Sequence, residues 1–404
     1  MNDAPQLDIG TLGFDSGAHI LVKLALLPLA TGGEVTVRGD HPEFIGELAA
    51  WCRAHGHQMR VDNDEHAKQP FAVVVRGAAM SARWVGAQRA GESDSTKVSE
   101  LDGEPLAEWG LAPRGATVEL GGPRPSFALA KRDELWTDRA SSLYRQALAS
   151  QWDPHTAIDW STPIEHHEAV EHAIVQVMTF LIENEQAALV VPTRFLGQIH
   201  PYFREIQQML AVTIADEARH IEVFTRRAVA SGLPLALSTA GGRASLQTLI
   251  DEPDYATAAF LLSVMGEGTF VSLLSFLERH APDSVTRRIA HLTRQDEARH
   301  VAFAMSHLER HAQLDPALRS RLANAVERRH QALQHTAGLN EEVFDSLVLL
   351  AAGAPDPVAI RAGWRAVQDL QREMADARQS RLARLGFTAG ERGTLAALHS
   401  RNFM

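Results

Sequence analysis

The sequence predicts a small two-layer α/β domain followed by a mainly α domain built as a helical bundle. Three observations carry that reading. Residues 1–80 alternate short strand-like and helix-like segments, and residues 81–135 are rich in Gly, Pro and Ser with no sustained period. From residue 136 onward long helical patterns run with almost no strand signal. The expected domains are therefore 1–80, a linker over 81–135, and a helical domain over 136–404.

Taken in order, residues 7–9 read as a strand and 18–29 as a helix that stops before Gly32 and Gly33. The stretch EVTVR over 34–38 alternates as a half-buried strand does. A helix over 41–55 follows, entered at Asp40 with Pro42 in its first turn. Residues 59–61 and 71–76 close a βαβαββ order. A hairpin is expected around 116–120. Helices are then expected over 164–190, 200–231, 253–281, 284–312, 316–338, 341–352 and 357–385, punctuated by Pro192, Gly232, Pro282, Pro316 and Pro355.

Composition narrows the partners. Hydrophobic residues make up 45% and charged residues 22% of 404, as in globular chains. Thirty-nine Lys plus Arg against fifty Asp plus Glu give a formal charge of −11, which disfavours nucleic acid or an anionic membrane. The single Cys52 excludes an internal disulfide and a Cys-rich zinc site, and suits a reducing compartment. Asp3 and Asp8 stand where a signal peptide would be basic and then apolar, and the apolar run 20–30 is interrupted by Lys23 and too short to span a bilayer. A soluble, cytoplasmic protein without membrane or nucleic-acid partners is expected. Nineteen His remain as the compositional oddity.

The pentapeptide Asp-Glu-Ala-Arg-His occurs twice, at 216–220 and 296–300. On a helix, residues i and i+3 share a face, so Glu217 with His220, and Glu297 with His300, can reach one ion each. Glu327 and His330 have the same spacing without the context and read as a solvated face. A bundle holding two metal ions in this way needs one more carboxylate from each of two further helices. Glu267 is the only acid between residues 258 and 277, and a lone carboxylate there needs a partner. Glu183 and Glu185 compete for the other place. Glu185 is preferred, because its interval of 32 residues to Glu217 is close to the 30 from Glu267 to Glu297, and it is flanked by small Ala187 and Ala188.

This arrangement resembles the ferritin-like dinuclear carboxylate superfamily, and the Asp-Glu-Ala-Arg-His form is similar to its O2-activating diiron members. The likeness covers roughly residues 136–312, including the segment from Leu143 to Asp153 and Ile158-Asp-Trp160. It implies a ferritin-like helical bundle with extra C-terminal helices. It also implies six metal ligands, Glu185, Glu217, His220, Glu267, Glu297 and His300. Asp216 and Asp296 would accept hydrogen bonds from the ligating His of the opposite motif, with Arg219 and Arg299 completing that ion-paired layer. Two iron ions are favoured over Fe/Mn or dimanganese, with O2 as co-substrate, an external electron donor and a homodimer. The apolar positions Leu181, Phe224, Val264, Val271 and Phe303, with Ile182 and Leu189, are expected near the site and favour a small organic substrate. The resemblance thus implies an oxygenase or oxidase performing hydroxylation, N-oxygenation or oxidative cleavage. Two other classes stand against it: a metal-handling or peroxide-consuming protein without organic substrate, and an interaction protein with a structural metal site.

Departures from the pattern narrow the subgroup. Phe224 stands where a radical-generating subunit carries Tyr, and Tyr144, Tyr202 and Tyr255 lie outside the ligand stretches. Val271 replaces the Thr of multicomponent monooxygenases, and Thr293 the third His of arylamine N-oxygenases. Residues 7–76 resemble a TusA-type sulfur-carrier domain, through Leu7-Asp8, Leu12, Gly33, 35–37 and 50–57. The nucleophilic Cys of that family is absent, since 14–17 reads Phe-Asp-Ser-Gly. Sulfur transfer is excluded there, Cys52 reads as a buried small hydrophobe, and the domain reads as a docking, dimerising or lid element. His166, His167 and His172 read as a polar helix end, and His291 as lying off the ligand face.

Overall fold

Alternation decides the first layer. In β2 (Glu34–Arg38) and its neighbour Phe71–Val75, every second residue is buried: Val35, Val37, Ala72 and Val74. The computed structural model describes residues 4–61, 69–94, 97, 101–334 and 341–399. They fall into two units, one of residues 1–90 with 116–124 and one of 91–115 with 125–404. In the first, β1 (Gln6–Asp8), α1 (Ala18–Leu26), β2, α2 (Phe44–Ala54), β3 (Gln58–Val61) and β4 (Phe71–Val75) follow the expected βαβαββ order. The sheet order is β1-β2-β4-β3, with β1 parallel to β2 and the other pairs antiparallel. Val22 and Leu26 of α1 and Phe44, Leu48 and Cys52 of α2 share one core with the buried face of the sheet. α2 starts at Phe44 rather than 41, because residues 41–43 form a turn in which Phe44 N donates to His41 O.

The segment expected around 116–120 forms no local hairpin. Its two-residue strand β6 (Thr117–Val118) pairs with the distant β5 (Gln88–Arg89). The described residues of 91–115 pack into the second unit. Trp109 stacks on Tyr202 at 5.4 Å, and Arg114 makes a buried two-pronged ion pair with Glu205, one arm 3.0 Å long.

Long amphipathic or fully apolar stretches build the second unit. After the short α3 (Ala140–Ala149) come α4 (Glu168–Leu196), α5 (Arg204–Ala228), α6 (Ala240–Ile250), α7 (Tyr255–His280) and α8 (Ser284–Leu314). The C-terminal helices are α9 (Leu318–Leu333), α10 (Glu341–Ala352), α11 (Pro357–Arg384) and α12 (Ala389–His399). The expected end of the α9 pattern, 335–338, lies outside the described residues. Pro192 does not end α4 as expected: the helix continues through it to Leu196, giving up the ladder bond to residue 188. Asp254 and Asp283 cap α7 and α8 by accepting from Thr257 N at 2.9 Å and Thr286 N at 2.6 Å.

α4, α5, α7 and α8 pack together, and a buried ion network ties α4, α5 and the start of α8. Arg227 on α5 donates to Glu171 on α4 at 2.7 and 2.8 Å, to the α8 cap Asp283 at 2.9 Å and to Thr286 at 2.7 Å. Burial would raise the Glu171 carboxyl, but Arg227 wins and holds it near 2. α4 and α7 are long and apolar enough to cross a membrane by length and composition, yet 78% of each apolar window is buried against protein. These helices also carry buried carboxylates, which set the site.

Candidate metal centre

The i, i+3 spacing places Glu217 and His220 on the inner face of α5, and Glu297 and His300 on that of α8; all four are at most 2% exposed. Glu185 of α4 and Glu267 of α7 join them at 1% and 4% exposure. Glu183, its competitor, is half-buried and faces elsewhere, while Glu327 is exposed. The six side chains form two overlapping groups whose donor atoms lie within 4.8 Å of one another. One comprises Glu185, Glu217, His220 and Glu297; the other comprises Glu217, Glu267, Glu297 and His300. Glu217 and Glu297 belong to both, the position of carboxylates that bridge two ions.

Opposed ligands on a six-coordinate ion lie about 4.2 Å apart, so little contraction would close either group on a cation. The orphaned atoms point the same way. Glu185 Oε1, Glu217 Oε1, Glu267 Oε2, both carboxylate oxygens of Glu297 and His300 Nδ1 are buried with no hydrogen-bond partner among the described residues. His300 Nδ1 is 2.9 Å from Glu217 Oε1, but without hydrogen-bond geometry. Four buried carboxylates match the charge of two divalent cations. The donor set of carboxylate oxygen and imidazole nitrogen suits iron or manganese.

Without a cation the electrostatics are strained. Burial, and then repulsion from Glu217 and Glu297, pushes Glu185 well above the usual carboxylate range. Burial, and then Glu297, does the same to Glu267. Burial also works against a charged Glu217, but His300 and the hydrogen bonds around it hold Glu217 well below that range. His220 and His300 are raised well above the ordinary imidazole value: burial opposes the charge, and their acidic neighbours outweigh it. A cation bound there would displace protons from the groups so raised.

Behind the ligand atoms lies a crossed layer. His220 Nε2 is 3.2 Å from Asp296 of the opposite motif, and His300 Nε2 is 3.3 Å from Asp216. Arg219 bridges Asp216 and Asp296, and Arg299 pairs with Asp296 and more loosely with Asp216. Sequence reasoning gave no role to two donors in the loop after α3. Gln151 Nε2 donates to Asp216 at 2.9 Å, and Trp152 Nε1 donates to Asp296 at 2.8 Å beneath the Arg219 guanidinium. Their only signal was the likeness of the segment 143–153 to diiron proteins.

Glu267 closes a π-helical stretch, Phe260–Glu267, which the sequence did not announce. Wider turns leave carbonyls to be met from outside: Arg381 Nε of α11 donates to Val264 O at 2.8 Å. A Cβ at Gly268 would lie 2.5 Å from the Arg381 guanidinium carbon, so a larger residue there would displace the end of that side chain.

Two small cavities touch the centre. One, of about 40 Å³, is lined by Glu267, His300, Phe303, Tyr255, Leu210 and Thr213. The other, of about 20 Å³, is lined by Glu185, Glu267, Glu297, Arg329, Leu249 and Phe270 among others. Each holds one or two waters' worth of space, so a larger guest requires side-chain movement. Of the five apolar positions anticipated near the site, Phe303 lines a cavity. Leu181, Phe224 and Val264 are packed in the core, and Val271 is half-buried. His166 pairs with Glu171 at 2.6 Å and His291 with Glu278 at 2.9 Å, away from the centre.

Neither a scan of protein-family models nor a search of curated proteins gives a match. Among solved structures, a mutant R2-like ligand-binding oxidase with an anaerobically reconstituted Mn/Fe cofactor aligns at a TM-score of 0.43 and 16% identity, covering 62% of this chain and 94% of that one. A protein with aldehyde deformylating oxidase activity from Synechococcus aligns at 0.37 and 19%, covering 59% and 98%. The R2-like ligand-binding oxidase from Sulfolobus acidocaldarius aligns at 0.40 and 16%, covering 59% and 90%.

Proposed function

We propose that this chain is a dinuclear-metal oxidoreductase, a diiron oxygenase or oxidase that uses O2 to oxidise a small, largely apolar organic substrate. The observation that carries the reading is the pair of overlapping ligand groups sharing Glu217 and Glu297, with their orphaned buried oxygens. Glu185 and His220 would complete one ion's ligands, and Glu267 and His300 the other's. Bound there, two irons would supply the electrons for reducing O2. The chain's own share is orientation and exclusion. Asp216 and Asp296 hold the far nitrogens of the two imidazoles and so fix which nitrogen faces the ions. Arg219 and Arg299 neutralise that layer, and apolar walls around the cavities keep bulk water out.

Apolar cavity walls also favour an organic guest over hydrated iron on its way to storage. Hydroxylation takes two electrons from the substrate and leaves two for an external donor. Iron is favoured over Fe/Mn or dimanganese by the reading of the motif. In the first unit Cys52 is buried and its thiol is pushed up to about 11 by burial, so that unit serves docking rather than sulfur transfer. α1 exposes Ile20 and Leu24, at 53% and 57%, and Leu27 follows directly after it at 50%, an apolar face of the kind a docking element or homodimer uses. A cytoplasmic setting without membrane or nucleic-acid partners completes the reading.

The test is anaerobic loading with Fe(II) followed by a measured pulse of O2. Two irons per chain and O2 uptake that stops after one event per pair support an oxidase. Continued uptake with growth of a ferric mineral would sink it in favour of iron storage.

A further inference from the structure

A cavity of about 730 Å³ opens in the first unit where the ends of α1 and α2 meet the end of β4. Its wall carries Lys23, Arg53, His55, His57, Arg76 and Arg83, and no acidic residue among the described ones. Of these cations Arg83 alone has a carboxylate partner among the described residues, donating to Glu119 through two nitrogens at 2.8 Å each. Arg76 directs its donors to Leu27 O, Leu29 O and Ser81 Oγ, which ties down the end of α1 without cancelling the guanidinium charge. Lys23 and Arg53 are exposed and form no ion pair among the described residues.

His57 adds a buried donor to that wall. It is 7% exposed, and its Nδ1 accepts from Gly77 N at 2.9 Å. A neutral imidazole held in this way carries its proton on Nε2, which has no partner among the described residues. Trp51 fixes the ring, stacking on His57 at 5.1 Å and on His55 at 4.7 Å. The backbone is fixed as closely: a Cβ at Gly77 would lie 1.7 Å from Gly56 O, so only glycine brings its N–H to the imidazole. Burial, then His55 and Arg76, lower the His57 imidazole, the sign of a cavity whose field is positive. Helix dipoles alone would place cations at the last turns of α1 and α2. They require neither a concave wall nor a buried, unused donor.

We propose that this cavity binds a mononucleotide, its phosphate met by Lys23, Arg53 and the His57 Nε2 donor and its planar ring stacked against Trp84. A phosphate monoester carries about two negative charges and three acceptor oxygens, which match two unpaired cations and a neutral donor; a carboxylate would match one cation. Trp84 is 45% exposed and offers a ring face, with the Arg83 guanidinium 5.5 Å from its centroid. The cavity volume is that of a small-molecule pocket rather than of a flat interface. A net charge of −11 disfavours a long polynucleotide, whose further phosphates would meet repulsion. The site lies wholly within the first unit and does not depend on the oxidase reading.

The experiment titrates the full-length, metal-loaded protein with AMP, GMP, CMP and UMP, their nucleosides and ribose 5-phosphate, by calorimetry and tryptophan fluorescence. At least one nucleotide should bind one-to-one and roughly tenfold or more tighter than both its nucleoside and ribose 5-phosphate, since phosphate and ring each contribute. Lys23→Gln combined with Arg53→Gln should remove the preference over the nucleoside, and Trp84→Ala the preference over ribose 5-phosphate. All three side chains are exposed, so circular dichroism should show the fold intact. Equal affinity for nucleotide and nucleoside, or binding unchanged in the double variant, overturns the proposal. Nucleotide binding that disappears when the metals are removed also overturns it, because the ligand then sits at the dinuclear centre. A short single-stranded RNA bound far more tightly than any mononucleotide would overturn it in favour of a nucleic acid. Two irons per chain and O2 uptake without nucleotide binding remove this site and leave the oxidase reading standing. Nucleotide binding through Lys23 and Arg53 in protein that takes up no iron keeps this site and removes the oxidase reading.

Discussion

Glu267→Gln separates the two ligand groups. Glu267 belongs to only one of them, whereas Glu217 and Glu297 belong to both. The amide keeps the shape and removes the charge, so the variant should bind one ion per chain where the parent binds two. An ion at one hundred times its dissociation constant stabilises the folded state by about 2.7 kcal/mol. Two ions therefore contribute roughly 5 kcal/mol in the parent and half that in the variant. At about 2–4 °C per kcal/mol, the metal-induced rise in Tm should shrink by roughly 5–11 °C. Without metal the sign reverses. Glu267 is crowded by burial and by Glu297, so the glutamine should leave the metal-free Tm unchanged or raised. Elemental analysis by plasma mass spectrometry and thermal unfolding read both quantities. Glu183→Gln, at the half-buried neighbour of the ligand position, is the control and should change neither. Two ions still bound in Glu267→Gln, with the full rise in Tm, would refute the ligand assignment. A metal-free variant that melts several degrees lower would show a purely structural role.

Other expectations follow from the same geometry. Glu185 and Glu267 carry raised carboxyl pKa values in the folded state, against an ordinary 4.5, so their contribution to metal-free stability is full below 4.5 and is lost as pH rises through the folded values. His220 and His300, raised above 6.5, contribute below that value and lose it above. The Tm gained on adding metal should thus be larger at pH 8 than at pH 5.5; an equal or smaller gain contradicts the proton-for-metal exchange. Asp296→Asn weakens the acceptor that faces His220 and Trp152, and should reduce metal affinity by roughly 10–100-fold with the fold intact, as circular dichroism and competitive chelation would read. Cys52 should not react with Ellman's reagent at pH 8 until the chain is unfolded, when one thiol per chain appears; rapid labelling of native protein would show that the thiol is accessible.

Spacing alone put Glu217 with His220 and Glu297 with His300 on one helical face each, and the likeness to the dinuclear carboxylate superfamily implied that the two pairs meet. Glu267 was readable as the lone acid in an apolar helix, and Glu185 from its interval and its small neighbours. The alternation of EVTVR marked the buried and half-buried sides of β2 in advance. What escaped depends on tertiary context. A π-helical stretch leaves no composition signal in Phe260–Glu267, since it arises from how α11 meets the opened carbonyls. Pro192 looked like a stop, but packing carries α4 through it to Leu196 despite the lost ladder bond and the clash with the carbonyl of residue 188. α6 was hidden by Gly241 and Gly242 at its start. Gln151 and Trp152 sit in a loop whose contacts with Asp216 and Asp296 are 65 and 144 residues away in sequence. Arg329 follows Arg328 on a polar helix that reads as solvated, and only packing against α6 and α12 buries it.

Anomalous diffraction from crystals loaded anaerobically with Fe(II) tests the centre most directly. Two iron peaks roughly 3.5–4 Å apart are predicted, with Glu217 and Glu297 between them, Glu185 and His220 on one and Glu267 and His300 on the other. A single peak, or iron held elsewhere, such as at His166 and Glu171, would contradict the account.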